Sequence, residues 1–229
     1  MNAHTSDALA FATGLGQSDT HVVVLSDGRS NPSRVAGTPY DVIEPAQIKR
    51  MLQDPPSVPK EKARWFIPST YHGPDARSHE AQRQYGTFFW LPVDIDQNNL
   101  ACDEVLSTVQ AVAPGTTCLI YSSRSATDDN RKWRALLPLK EPLAGADYTE
   151  TVAAFYDLLE KASGGALIPD RALCRPGQLI YLPNRGEHYD HCVHRAHRLL
   201  LDADHPIIVR REENRARIKA AQEFAQRER

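Results

Sequence analysis

The spacing of hydrophobic positions along the chain predicts the order of its strands and helices. Short apolar or aromatic runs are typical of buried strands and occur at residues 21–25, 65–67, 88–95, 117–121, 133–139 and 178–182. Apolar residues at helical spacing predict helices over 41–52, 101–112 and from Asp147 to the glycines at 164–165. Glu150 follows Asp147 by three residues, which predicts a capping box at the start of the third helix.

From residue 86 the predicted order is β-α-β-β-α-β, which indicates an α+β fold of the ferredoxin-like or RNA-recognition (RRM) type. Its expected form is a four-stranded antiparallel sheet, with helices on one face and the other face free for ligands. The interpretation divides the chain into a catalytic domain over 1–205 and a charged helical tail over 206–229. Within the domain, an N-terminal αβ part spans 21–85 and the RRM-like part spans 86–184.

Two aspartates close the most aromatic of the predicted strands. Side chains alternate along a strand, so Asp94 and Asp96 are expected on one face, with Val93 and Ile95 on the other. Carboxylates so placed present hard oxygen ligands to a divalent cation, although a polar strand exit with two solvated acids is the simpler interpretation of this motif alone.

Two further segments favour the metal interpretation. Residues 122–125, Ser-Ser-Arg-Ser, end the next strand, and Asp170 precedes the predicted fourth strand. Strand pairing brings such ends together, and acids beside hydroxyls and arginines can hold metal ions and a polyphosphate. Alternatively, Arg124 and Arg131 are loop residues paired with Asp128 and Asp129.

Other features have simpler interpretations. Trp133 is expected to pack in the core and not to stack on a base. The polar stretch at 68–79 is either a solvated loop or a substrate-facing one. The histidine-rich segment at 188–197 lacks paired-ligand spacing, so we expect no structural zinc there.

Composition narrows the class of protein. The chain has 229 residues, 41% of them hydrophobic and 24% charged, which suits a globular domain. A formal net charge of −2 argues against wholesale electrostatic binding of nucleic acid, so any such site must be local. The four cysteines form no C-x-x-C pair, the N-terminus does not resemble a signal peptide, and no apolar run is long enough to span a bilayer. These features predict a cytoplasmic protein without a membrane partner.

Residues 64–184 resemble the archaeo-eukaryotic primase superfamily, and most of all the primase–polymerase domains of phages, plasmids and integrated elements. The matching segments are WFIPSTYHGPDAR, FFWLPVDID, LIYSSRSATDDNRKWRALLPLKEPL and IPDRALCRPGQLIYLPN. The resemblance implies catalytic and metal-binding roles for Asp94, Asp96 and Asp170. It implies nucleotide-binding roles for Ser123, Arg124, Ser125 and Arg134. Arg124 stands where many relatives carry a histidine, and it would contact the same phosphates with a fixed charge.

The resemblance also implies an activity. The expected protein is a DNA primase or polymerase, a nucleotidyltransferase that makes or extends primers on a single-stranded DNA template during replication of a mobile element. Mg²⁺ or Mn²⁺ would be its cofactor, nucleoside triphosphates its substrates and a replicative helicase a candidate partner. The alternatives are a non-catalytic module that binds single-stranded nucleic acid, and a metal-dependent nuclease.

Overall fold

The computed structural model describes residues 21–24, 40–43 and 45–227, which form a mixed α+β protein, as predicted. Its strands are β1 (His21–Val24), β2 (Asp41–Ile43), β3 (Trp65–Ile67), β4 (Thr87–Ile95), β5 (Cys118–Ser122), β6 (Trp133–Ala144), β7 (Ile180–Tyr181) and β8 (His191–His194). Its α-helices are α1 (Pro45–Gln53), α2 (His79–Tyr85), α3 (Cys102–Val112), α4 (Gly145–Ala162) and α5 (Pro206–Arg227). Short 3-10 helices span Lys60–Lys62 and Arg171–Cys174. Leu25 of the first predicted strand, and residues 1–20 and 228–229 of the predicted domain and tail, lie outside the described residues.

The described strands form two antiparallel sheets. The first has the order β2-β1-β3-β7, and the second has the order β4-β6-β5-β8. In the second sheet, β4 pairs with β6 from Thr87 to Ile95, with a register shift between Phe88 and Trp90. Pro92 is tolerated within β4 because this strand lies at the sheet edge, where a missing N–H breaks no ladder on the outer side.

The fourth strand of the second sheet differs from the prediction. The segment at 178–182 was expected there, but β7 pairs with β3 in the first sheet, and β8 takes the place beside β5. At the outer edge of β4, where the predicted fourth strand would pair, Pro169 forms a single bridge with Ile95. Pro169 lies just before the 3-10 helix Arg171–Cys174. The strands β4, β6 and β5 keep the expected order, and the predicted fourth position is reduced to this bridge.

The free sheet face is also a wrong expectation. All five residues of β5 are buried, and neighbouring side chains in a strand point to opposite faces, so both faces of the sheet are covered at β5. The Tyr121 hydroxyl donates a hydrogen bond of 2.8 Å to the carbonyl oxygen of Tyr181 in β7. The first sheet therefore packs against the second at this point.

Two helices begin elsewhere than the sequence predicts. Residues 41–43 form β2, which pairs with β1, and α1 begins only at Pro45, whose missing N–H suits a first helical position. The helix α4 begins at Gly145, where β6 ends, so Asp147 does not cap it. A Cβ atom at Gly145 would overlap the carbonyl oxygen of Gln82, which explains how α2, a helix that the sequence pattern did not reveal, packs closely on this turn.

The predicted tail is a helix that packs on the domain through charges. Arg215 of α5 donates to Asp147 (2.7 Å) and to Glu150 (2.5 Å), the two acids expected to serve a capping box. Asp157 of α4 accepts from Arg210 and Asn214 of α5. Ile207 is fully buried, whereas α5 is exposed from residue 216 onward. Its first half is therefore held on α4, and its last turns project into solvent. Among the described residues, no helix has the length and apolarity that crossing a membrane requires.

The carboxylate of Asp157 gives this contact a pH dependence. Burial raises the pKa of Asp157, but hydrogen bonds from Asn214 and Arg171 and the charge of Arg210 bring it below the ordinary value of 3.8. Because the pKa is lower in the folded state, the charged form stabilises the fold above pH 3.8, and this contribution is lost as the pH falls through the folded-state pKa. We expect Asp157→Asn to lower the free energy of unfolding by about 1 kcal/mol near neutral pH.

Urea unfolding across a pH series measures this difference, which we expect to shrink as the pH drops below 3.8. The exposed Asp204 provides the control, and Asp204→Asn should leave the unfolding free energy unchanged. A loss for Asp157→Asn that is equally large at every pH would contradict the assignment.

Candidate functional site

The site is built around an ion pair between two neighbouring strands. Asp94 of β4 lies directly opposite Arg134 of β6, and Nε of Arg134 is 3.4 Å from Oδ2 of Asp94. Asp96 makes a similar contact one step along the strands, where Nζ of Lys132 is 3.6 Å from its Oδ1. Acids and bases spaced by two residues on each strand thus face each other, which places Asp94 and Asp96 on the same side of the sheet.

The environment of Asp94 is unfavourable for a charged carboxylate. Its side chain is 18% exposed, and its Oδ1 is buried without a hydrogen-bond partner. Burial raises the pKa of Asp94 above 3.8, the charge of Arg134 lowers it, and the charges of Asp96 and Asp170 raise it further. Burial is the largest influence on the pKa of Arg134 and lowers it, but the charges of Asp94, Tyr121 and Asp96 together raise the pKa overall. A cation near Oδ1 would relieve the crowding of negative charge.

The third predicted acid lies beside this pair. The backbone N–H of Asp170 donates to the carbonyl oxygen of Asp94 at 2.8 Å, next to the bridge between Ile95 and Pro169. The Asp170 carboxylate is exposed and accepts from the backbone N–H of Ala172, so it caps the second 3-10 helix. The structure therefore brings Asp170 to the other two acids and also gives it a local structural role.

The residues expected to bind a nucleotide form one wall of a cavity. After β5 the chain turns at Ser123, whose N–H donates to the Lys132 carbonyl and whose hydroxyl lies 3.2 Å from that of Ser125. Arg124 extends from this turn, and its Nη1 donates to the Arg185 carbonyl at 2.5 Å. The loop between β5 and β6 thus places hydroxyls and a guanidinium at the same cavity as Arg134.

We call this space, of about 210 Å³, the basic cavity. It is lined by Lys60, Ala63, Ser123, Arg124, Ser125, Arg134, Tyr181, Leu182 and Asn184. Nζ of Lys60 lies 5.4 Å and Cζ of Arg134 lies 5.7 Å from the ring centroid of Tyr181. Among the described residues, none of those lining the cavity is a carboxylate, so its charge favours an anionic ligand.

Sequence reasoning missed Lys60, Tyr181 and Asn184 as site residues. The amide of buried Asn184 makes two hydrogen bonds to the backbone of Val58, of 3.0 and 2.9 Å. This contact joins residues 126 positions apart and holds the first 3-10 helix, with Lys60, against the cavity. The segment at 58–62 carries no motif, so only the pairing of distant segments reveals its role.

The structure also decides between alternatives that the sequence left open. Asp128 lies 2.7 Å from Nδ1 of His188, and Arg124 donates to Arg185, so the loop pairing expected of Arg124 with Asp128 or Asp129 is not observed in the described residues. Trp133 is 1% exposed and its Nε1 donates to the Leu100 carbonyl, which confirms packing.

The start of the polar stretch at 68–79 lies far from the acids. The N–H of Thr70 donates to the carbonyl of Thr87, at the start of β4, whereas Asp94 lies near its end. Seven residues of strand separate these points by about 23 Å. Gln82 donates to the carbonyls of Tyr71 and Ala76, so the stretch is folded onto α2. A substrate-facing role at the acids is therefore disfavoured for the start of the stretch, whereas Arg77 lies against the ring of Trp65, which pairs with Tyr181 of β7.

The acids suit a divalent metal in chemistry but are not arranged around one. Carboxylate oxygens are the preferred ligands of Mg²⁺ and Mn²⁺, and Oδ1 of Asp94 is buried and unpartnered. In the part of the chain that the structure describes, however, no group of three or more His, Cys, Asp or Glu side chains is placed to hold a metal ion. Metal binding by Asp94, Asp96 and Asp170 therefore stays a prediction, and it requires movement of these side chains.

Comparisons with known proteins identify no family. No family model and no curated protein sequence matches the chain. Among solved structures, the chain is similar to the AEP domain (PP-N190) of the cyanophage S-2L primase-polymerase (PrimPol), with a TM-score of 0.46 and 10% sequence identity. The match covers 89% of this chain and 96% of that one. Similarity at this level assigns neither a function nor site residues.

The ion pair leads to a prediction about stability. Arg134→Ala leaves the Asp94 charge without its counter-charge, so we expect a loss of about 2 kcal/mol in the free energy of unfolding at pH 8, below the range for fully buried pairs. Because the pKa of Asp94 rises further without Arg134, Asp94 takes up a proton in the folded variant as the pH is lowered. The loss should therefore be smaller at pH 5 than at pH 8.

Urea unfolding at the two pH values measures this change. Lys132→Ala is the matched control, because its partner Asp96 is 49% exposed and its removal should cost less than about 1 kcal/mol at either pH. Adding Asp94→Asn to the Arg134 variant should restore part of the loss. An equal loss at both pH values would show that packing of the Arg134 side chain, and not the charge of Asp94, accounts for the effect.

Proposed function

We propose that this protein is a metal-dependent nucleotidyltransferase of the primase–polymerase type. The observation that carries the proposal is the position of Arg134, which pairs with Asp94 on one side and lines the basic cavity on the other. Acids that suit a metal and cations that suit phosphates are thereby adjacent. A metal-bound nucleoside triphosphate presents the complementary arrangement of charges.

The triphosphate would bind in the basic cavity. Lys60, Arg124 and Arg134 supply positive charge, and the hydroxyls of Ser123 and Ser125 supply further donors. Guanidinium groups bind phosphate oxygens through paired N–H donors, and Lys60 adds a point charge. Arg134 reaches either Asp94 or a bound phosphate from its present position, so it can compensate negative charge on both sides.

Asp94, Asp96 and Asp170 would hold Mg²⁺ or Mn²⁺. When bound, such ions activate the attacking hydroxyl and neutralise charge on the transferred phosphoryl group. The protein groups around them orient the triphosphate, and their fixed positions replace water as the environment of its charge.

In this proposal the second substrate is a single-stranded DNA template that pairs with the incoming nucleotide. The resemblance described above also implies a replicative helicase as a partner, and replication of a mobile element in the cytoplasm as the setting. The template is the part of this proposal that an assay on the purified protein tests directly.

A second candidate function has one observation in its favour. Arg134 and Lys132 already neutralise Asp94 and Asp96, and Asp170 caps a 3-10 helix. A protein with this arrangement can bind a nucleotide or a single strand without a metal and without catalysis. The experiment must therefore separate binding from synthesis.

Primer synthesis is the direct test. We expect labelled products from nucleoside triphosphates on a single-stranded template with Mg²⁺ or Mn²⁺, resolved on a denaturing gel. Asp94→Ala and Asp96→Ala should abolish them, because each removes a metal ligand from the reacting centre.

The exposed Asp204 is again the matched control, and Asp204→Ala should keep full activity. Full synthesis by the Asp94 and Asp96 variants would contradict the assigned roles. Nucleotide binding without synthesis under any metal condition would favour the non-catalytic function, and degradation of the template would favour a nuclease.

The basic cavity predicts which cations serve the nucleotide. Removing a charge-assisted contact to phosphate weakens binding by about tenfold or more, so we expect this loss of triphosphate affinity for Lys60→Ala and for Arg124→Ala. Arg124→Lys should recover only part of it, because the forked donor geometry is lost. Calorimetric titration with a nucleoside triphosphate measures the affinity.

Lys62 lies on the same 3-10 helix as Lys60 and does not line the cavity, so Lys62→Ala is the matched control and should bind normally. Equal losses for the two lysine variants would show that net charge, and not the cavity, determines the affinity.

A further inference from the structure

A second cavity lies next to the basic cavity. Asn184 lines the basic cavity, and the next two residues, Arg185 and Gly186, line the second one. It has a volume of about 450 Å³, within the range of sites for small organic ligands. Its lining includes Gln53, Arg185, Glu187, Tyr189, Asp190 and His191. We call it the aromatic cavity, because the aromatic side chains of Tyr189 and His191 are part of its lining.

The rings are held in place by the surrounding structure. The ring centroids of Tyr189 and His191 are 5.9 Å apart, with an angle of 32° between their planes. The Tyr189 hydroxyl donates to the Leu52 carbonyl at 2.8 Å, and His191 lies on β8, paired with Tyr121 of β5. Cζ of Arg185 lies 5.7 Å from the centroid of Tyr189. Three planar side chains, those of Arg185, Tyr189 and His191, are therefore held next to one another in the lining of this cavity.

The charge of the aromatic cavity differs from that of the basic cavity. Glu187 and Asp190 oppose the single guanidinium of Arg185, so an anionic group such as a phosphate is disfavoured there. Carboxylates and the amide oxygen of Gln53 accept hydrogen bonds. The ligand that fits is a neutral aromatic ring system with N–H donors, which is the chemistry of a nucleobase with an amino group.

The two cavities share a wall. The Arg185 carbonyl, at the aromatic cavity, accepts from Arg124, which lines the basic cavity. Gly186 lies so close to the Arg124 carbonyl oxygen that a Cβ atom would overlap it, so only glycine permits this approach. A strand that passes the basic cavity can therefore place a neighbouring base in the aromatic cavity.

We propose that the aromatic cavity binds an unpaired base of single-stranded nucleic acid, with guanine preferred over thymine. This proposal rests on the proposed function, because that function assigns the neighbouring basic cavity to a nucleotide. The base stacks against Tyr189 and His191, and the N1–H and amino group of guanine donate together to the carboxylate of Glu187, whereas thymine has a single N–H donor on that edge. Stacking supplies affinity, and the carboxylates supply the preference among bases.

Fluorescence anisotropy tests this without metal or triphosphate, so the result does not depend on catalysis. The probes are oligothymidylate of about 12 nucleotides and the same strand with one central dG, and deoxyguanosine, which has no phosphate, serves as a competitor. We expect the strand with dG to bind more tightly. Tyr189→Leu should weaken its binding by about tenfold, whereas Tyr189→Phe, which keeps the ring, should bind nearly as well.

Two further variants complete the design. Tyr85 on α2 is 55% exposed and lines neither cavity, so Tyr85→Leu is the matched control and should bind normally. Glu187→Gln should reduce the preference for dG over thymine at unchanged stability. If thermal melting shows that Tyr189→Leu is unfolded, the loss of base preference in Glu187→Gln tests the proposal instead.

The proposal is overturned if the wild-type protein binds no single strand, if folded Tyr189→Leu binds as the wild type does, or if Tyr85→Leu loses as much. It is also overturned if deoxyguanosine alone competes as strongly as an unlabelled strand, since the cavity then serves a free nucleoside. If Tyr189→Leu loses strand binding and the wild-type protein makes no primers, the proposed function is refuted. The proposal for the aromatic cavity stands in that case.

Discussion

The ion pair between Asp94 and Arg134 is the interaction on which the site depends. A carboxylate at this depth loses hydration, and the nearby acids Asp96 and Asp170 make its charge still less favourable. Arg134 offsets this cost from the central strand β6, directly across the ladder. The same guanidinium lies near the ring of Tyr181, which belongs to the other sheet. A single cation therefore compensates the buried acid, contributes to the contact between the two sheets and gives the basic cavity part of its charge.

Local patterns in the sequence were sufficient to predict most of the sheet that carries the acids. Alternation along β4 predicted that Asp94 and Asp96 share a face, and the contacts with Arg134 and Lys132 place them so. The apolar runs also predicted β5 and β6, and helical spacing predicted α3. These predictions succeeded because each depends on burial of one face of a short segment, which the period of its apolar residues records.

The remaining features depend on contacts between distant segments. The strand at 180–181 was predicted as a strand, but its partner is β3 and not the sheet of the acids, a choice that its own residues do not encode. Asp147 and Glu150 have the spacing of a capping box, yet Arg215 binds both from a helix more than sixty residues away. Lys60 reaches the site because Asn184 binds the backbone of Val58. In each case, a tertiary contact outweighs or supplements the local signal.

The contact between Asn184 and Val58 has a consequence for how the protein acquires its site during synthesis. The walls of the basic cavity come from residues around 60, 123–134 and 181–184, so the cavity cannot close until the last of these segments has been made. Contacts across so long a stretch of chain form late, because their loop entropy must be offset by other structure first. On the ribosome, the nascent chain carries the acids of β4 without the basic cavity beside them until residues 97–184 have been added. Completion of the segment at 181–184 is therefore the step that joins the two halves of the site.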